Sequence, residues 1–110
     1  MGKNSPVNFT SLNAATATGA GSSRWTRGAE KVTVELSWTG QPTAVSVTLE
    51  KRIGTGVWTV VGSAMTDAPA DADDQFMYDF NEMDGEIRLN LGTLTDGTAP
   101  TCTGIIRLGG

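Results

Sequence analysis

The sequence has no histidine and a single cysteine, Cys102. Without an imidazole, a Ser-His-Asp or Cys-His nucleophile and the common zinc sites are excluded. Catalysis would have to use carboxylate, lysine or tyrosine. A lone cysteine cannot close an intrachain disulfide, so the chain need not mature in an oxidising compartment. Cations are scarce and scattered: eight Lys and Arg against twelve Asp and Glu give a formal net charge of −4. That balance argues against nucleic acid as a partner. No stretch approaches the roughly 20 apolar residues that cross a bilayer, so no membrane partner is expected. The opening MGKNSPVNF lacks the apolar core of a signal peptide. These absences predict a soluble protein folded in cytoplasm, with no metal and no cofactor.

What the chain does have is alternation. From Glu30 to Val61 it reads EKVTVELSWTGQPTAVSVTLEKRIGTGVWTVV. Val32, Val34, Leu36 and Trp38 alternate with Lys31, Thr33, Glu35 and Ser37. Val45, Val47 and Leu49 alternate with Ser46, Thr48 and Glu50. Strand side chains point to opposite faces in turn, so each run can bury one face and wet the other. That is the signature of antiparallel sheet lying on a core. Gly40-Gln41-Pro42 and Gly54-Thr55-Gly56 reverse the chain between runs, because glycine reaches unusual φ and proline fixes it. In VWTVVGSAM, Trp58 and Val60 share one face and Val57 and Val61 the other. Apolar residues on both faces predict a strand covered on two sides, as by a partner subunit.

The same pattern continues toward the C-terminus. Phe76, Tyr78 and Phe80 mark one face of a strand, Ile87, Leu89 and Leu91 that of the next, and Cys102, Ile106 and Leu108 that of the last. Asp84-Gly85 and Asp96-Gly97 supply the turns between them. Near the start, VNFTSL places Val7 and Phe9 on one side, and Ala14 to Ser23 reads as a short strand or extended segment whose glycines and threonines oppose helix. The fold expected is all-β: an antiparallel β-sandwich or jelly roll of about seven to eight strands. It forms one domain over residues 13–110, preceded by an N-terminal arm or edge strand over residues 1–12.

Candidate chemistry is thin. Asp67, Asp71, Asp73 and Asp74 offer oxygens to calcium, but the run lacks the glycine and terminal glutamate of an EF-hand and reads better as a solvated acidic loop. A glycosidase pair can in principle be drawn from Asp79, Glu82, Asp84 and Glu86, yet all sit in or beside a turn where acids are ordinary. Trp25, Trp38, Trp58 and Tyr78 can build a sugar-stacking platform, although alternation favours burial of Trp38 and Tyr78. Cys102 lies on an apolar face and reads as a small buried hydrophobe. Asn8-Phe9-Thr10 matches a glycosylation acceptor, which carries no weight without a secretion signal. The residues that stand out for contact with a partner are Pro6, Val7 and Phe9 in the arm, Arg24, Trp25 and Arg27 in the RWTR patch, and Val57 and Trp58. Apolar residues and arginines there occupy places where a solitary sandwich would show other polar ones. Trp25 has a plainer alternative, packing on the core between two solvated arginines.

Three segments together resemble one family: AATATGAGSSRW, KVTVELSWTGQPTAVSVTLEKRIGTGVWTVVGSA and IRLNLGTLTDGTAPTCTGIIRLGG. They are similar to the small β-sandwich virion proteins of tailed bacteriophages, found as capsid decoration (cement) proteins, head fibres and tail-associated modules. The resemblance runs from Asn13 to Leu108 and rests on turn glycines and strand alternation. The chain departs from the pattern at KRIGTGVW, a hairpin with fewer polar turn residues, and at the longer aspartate loop from Asp67 to Asp74. The resemblance implies a non-enzymatic protein on the capsid surface that binds the major capsid protein and itself, as a homo-oligomer with a trimer favoured. It leaves a second role open, a tail- or fibre-associated module contacting host-surface carbohydrate.

Overall fold

The computed structural model describes residues 7–26, 31–67, 75–81 and 85–109, with backbone alone for 67 and 75–81. Eight strands follow one another: β1 (Val7–Ala15), β2 (Gly19–Trp25), β3 (Lys31–Thr39), β4 (Ala44–Arg52), β5 (Thr59–Asp67), β6 (Gln75–Asn81), β7 (Glu86–Thr95) and β8 (Thr101–Gly109). No helix occurs among the described residues. The strands form two four-stranded sheets, ordered β1-β8-β3-β6 and β2-β7-β4-β5. Every paired neighbour is antiparallel. The chain changes sheet at each connection except the β4–β5 hairpin, which is the eight-stranded jelly-roll arrangement.

The core lies where the period of two places it. Val32, Val34, Leu36 and Trp38 of β3 and Cys102, Ile106 and Leu108 of β8 face Val45, Val47 and Leu49 of β4 and Ile87, Leu89 and Leu91 of β7. Each such side chain withdrawn from water stabilises the fold by about 1.5–3 kcal/mol. Phe76, Tyr78 and Phe80 fall on β6 in register with Leu36, Val34 and Val32.

Along one edge of the sandwich, β1 and β2 close the gap between the sheets. β2 slips register against β7 between Ala20 and Ser23. Ser11 of β1 fills that break: its Oγ accepts from the Leu89 amide at 2.9 Å and donates to the Ser22 carbonyl at 2.7 Å. Gly21 permits the approach, since a Cβ there would sit 2.0 Å from the Ser11 carbonyl oxygen.

The two ends of the sandwich differ. At one, the β3–β4 and β7–β8 turns interlock through the Thr98 amide on the Gly40 carbonyl at 2.8 Å and the Thr43 amide on the Thr95 carbonyl at 2.9 Å. Gly40 takes φ +85°, and a Cβ would lie 2.5 Å from the Thr98 oxygen, so only glycine fits that turn. The other end carries the close of β2, the start of β3 and the β4–β5 loop.

Two expectations change. Phe9 is only 8% exposed and belongs to the core. It pairs in register with Ile106, and the Arg24 guanidinium caps its ring at 4.9 Å, so it is not a surface contact of this chain. Val57 and Trp58 precede β5, which begins at Thr59. From there the faces divide as a half-buried strand should: Val60 is exposed and Val61 packs against the core. The double-sided strand expected at VWTVV is a loop followed by a one-sided strand.

Candidate functional site

Five large apolar side chains are exposed among the described residues: Val7, Trp25, Ile53, Val57 and Val60. Register places all five toward the same end of the sandwich. Val7 pairs with Leu108, which pairs with Val32 beside the start of β3. Trp25 pairs with Glu86, and Glu86 with Arg52 at the close of β4. Ile53 and Val57 flank the glycine turn that follows, and Val60 pairs with Glu50 one row inward. Among the described residues the opposite end, where the turns interlock, shows none. Val57 is the extreme case at 87% exposure, and Trp25 is half exposed at 51%, so it is not packed into the core.

Of the sequence-derived contact residues, Val7, Arg24, Trp25, Val57 and Trp58 therefore gather at one end. Pro6 and Arg27 lie outside the described residues, and Phe9 is interior. Asp71, Asp73, Asp74, Glu82 and Asp84 also lie outside them, as do the side chains of Asp67, Tyr78 and Asp79. Among the described residues no group of three or more His, Cys, Asp or Glu is placed to hold a metal ion. Trp38 is buried at 2% exposure, as its alternation predicts.

Next to the apolar end lies the outer face of the β2-β7-β4-β5 sheet. Trp58 folds back over it, half-buried, with the guanidinium carbons of Arg88 and Arg52 at 4.0 and 4.6 Å from its ring centre. Each arginine also holds a carboxylate. Arg88 Nε donates to Glu50 Oε1 at 2.8 Å, and Arg52 Nε donates to Glu86 Oε1 at 2.9 Å. Asn90 Nδ2 donates to the second oxygen of Glu50 at 3.2 Å, and Ser23 Oγ donates to the second oxygen of Glu86. The Ser23 hydroxyl first, and the Arg52 guanidinium second, hold the Glu86 carboxyl below its ordinary range. Glu86 is thus a paired carboxylate whose charged form is favoured by its partners.

Sequence reading singled out Trp25, Trp58 and Glu86 but missed Glu50, Arg52, Arg88 and Asn90. A signal for them exists. Glu50 and Arg52, like Glu86, Arg88 and Asn90, recur every second residue opposite the apolar positions. What no local pattern reveals is that β4 pairs with β7, 34 to 40 residues away, and brings the two sets together.

No protein-family model matches the chain, and no curated protein sequence matches it. Solved structures do. YomS, derived from the prophage SPBc2, is 17% identical with TM-score 0.64, over 94% of this chain and 93% of that one. The exported protein XepA of PBSX is 16% identical with TM-score 0.66, over 97% of this chain but 39% of XepA, so the chain spans well under half of its length. A chain of the equine rhinitis A virus capsid, from a picornavirus, is 8% identical with TM-score 0.51, over 98% of this chain and 73% of that one. Identities this low establish a shared fold. In that sense the chain is similar to prophage-derived β-sandwich proteins and to a chain of a picornavirus capsid.

Proposed function

We propose that the chain is a non-enzymatic structural protein of a phage particle, a decoration protein that docks on the capsid lattice and strengthens it. The observation that carries this reading is the gathering, among the described residues, of all five exposed large apolar side chains toward one end of the sandwich, while the β3–β4 and β7–β8 turns interlock at the opposite end. Apolar side chains held on a rigid frame supply contact area at little ordering cost. The partner is the major capsid protein together with further copies of this chain. A closed symmetric oligomer, a trimer first, repeats the apolar end around an axis, and several weak contacts then add through multivalency. Fold similarity to YomS and XepA supports the phage setting.

The test is binding of the purified protein to heads that lack it. Ile53→Asp combined with Val57→Asp places two charges on the most exposed apolar positions and leaves the core untouched. Head occupancy should fall sharply while the unfolding curve stays in place. Undiminished occupancy would sink the reading, as would finding the protein in only a few copies per virion on a stained gel. Removal of residues 1–6 tests the arm separately. Removal of 1–10 would not, because it takes Phe9 from the core and Val7–Thr10 from β1.

A further inference from the structure

A strand at the edge of a sheet holds half of its backbone N–H and C=O groups away from its neighbour, open to a further strand. The edge strands are β1 and β6 in one sheet and β2 and β5 in the other. Three of these four are interrupted. β1 shifts register twice against β8, β2 once against β7 and β5 once against β4, where Gly62 at φ +69° lies in the break. β1 and β2 also meet each other through the Ser11 hydroxyl on the Ser22 carbonyl. Such breaks bend an edge and spoil it as a template. β6 differs. It pairs with β3 over all seven of its residues without a shift. Among the described residues no strand pairs with its other side. It has no proline and no lysine, the residues that ordinarily blunt an edge, and Asp79 is its one charge.

The sequence of this strand says what fits its open edge. QFMYDFN reads nearly alike in both directions, with an amide at each end, a phenylalanine beside each amide and Tyr78 at the centre. Antiparallel pairing with a second copy of β6, about a two-fold axis at Tyr78, sets Gln75 opposite Asn81, Phe76 opposite Phe80 and Met77 opposite Asp79. Side-chain amides both donate and accept, so Gln and Asn answer each other. Aromatic residues directly opposite stabilise an antiparallel pair, and no like charges meet. Neighbouring registers are poorer. Those that keep the two faces in place slip by two residues, because side chains alternate. The one centred on Asp79 opposes that carboxylate to its own copy, and the one centred on Met77 leaves Phe80 and Asn81 unmatched. Phe76, Tyr78 and Phe80 are in register with Leu36, Val34 and Val32, so the central register also joins the apolar rows of the two sheets end to end.

The geometry points to a two-fold contact between copies of this chain, in which β6 of one pairs antiparallel with β6 of the other and the two β1-β8-β3-β6 sheets become one. It shares no residue with the apolar end and does not rest on capsid docking. Where the apolar end gathers copies about one axis, a two-fold contact on a separate edge ties each group to the next.

The experiment is sedimentation equilibrium of the full chain carrying Ile53→Asp and Val57→Asp, so that the apolar end does not contribute. Failure of the edge contact and failure of the docking end are thereby separable. A monomer–dimer equilibrium is expected, and hydrogen exchange at the β6 amides should slow as concentration rises. In that background, Met77→Lys sets a cation opposite Asp79 at both symmetric positions and should tighten the dimer by about threefold to tenfold. Met77→Lys with Asp79→Lys sets cation against cation at the same positions and should loosen it by about tenfold or more. Within the chain, position 77 is in register with Glu35, so the lysine has a counter-charge nearby and circular dichroism should show both variants folded. General loosening of β6 would not make one lysine act in opposite directions according to its partner across the axis. A monomer at every concentration, an oligomer of odd order, or a dimer that the two lysine variants shift alike would overturn the proposal.

Discussion

Trp38, Gly21 and Cys102 show how differently single positions contribute. Trp38 is among the largest fully buried side chains, so Trp38→Ala removes apolar contact and leaves a cavity. The expected cost is about 3–5 kcal/mol, read as a lower urea midpoint with unchanged slope. Gly21→Ala adds one methyl where the neighbour is the Ser11 backbone, which cannot rotate aside. Overpacking against backbone should cost about 1–3 kcal/mol or more, again read from the urea midpoint. Cys102 has no exposed surface, and burial pushes its thiol up to about 11. A thiol that is both shielded and protonated reacts slowly. Labelling by a thiol reagent at neutral pH should therefore await unfolding, so its rate in rising urea should follow the unfolding curve. Prompt labelling of the folded protein would contradict the burial of β8.

At the scale of elements, the join between β1 and β2 depends on one hydroxyl. Ser11 answers an amide left open by the slip in β2 and a carbonyl of β2 itself. Ser11→Ala leaves the Leu89 amide unpaired in a buried place, at a cost of about 1–3 kcal/mol. Hydrogen exchange at Leu89 should accelerate more than at the centre of β3, which distinguishes loosening of the edge from loss of the whole fold. The paired carboxylates on the outer face make a different prediction. The folded pKa of Glu86 lies below its ordinary value of 4.5, through the Ser23 hydroxyl first and Arg52 second. A depressed folded pKa means that this contribution is complete above the unfolded value and is lost as pH falls through the folded one. Urea midpoints of the parent and Glu86→Gln should differ near neutrality and converge on acidification through the carboxylate range. A constant difference down to the lowest pH would show that the pair is not the cause.

Among the described residues, the molecule has one end where two turns interlock, one end with exposed apolar side chains and one strongly paired polar face. Each sheet joins strands distant in sequence, and the β4–β5 hairpin is the one connection that stays within a sheet. Non-local pairing of this kind makes jelly rolls slow to form. Folding from urea should accordingly be slow for a chain of this size, and stopped-flow tryptophan fluorescence would measure it. The apolar end should also govern self-association. Light scattering of the isolated protein should show an oligomer that Ile53→Asp/Val57→Asp reduces. A monomer at all concentrations would leave lattice contact as the sole use of that end.

The sequence by itself determined that the chain is all-β, which faces of β3, β4, β7 and β8 turn inward, and where the chain reverses. Those properties depend on side-chain alternation over a few residues and on glycine and proline at turns, and both are local. It also marked Trp25 and Val57, because bulky apolar residues outside the alternation stand out without any knowledge of neighbours. It misplaced Phe9 as a contact, since an edge strand with a buried face and an arm reaching outward have the same alternation over six residues. Only the tertiary structure decided the order of strands, and with it the pairing of Glu50 with Arg88 and Glu86 with Arg52, the folding of Trp58 across both arginines, and the meeting of Ser11 with Leu89. These contacts join residues that no short-range pattern relates, because closing two sheets over a shared core determines which distant strands become neighbours.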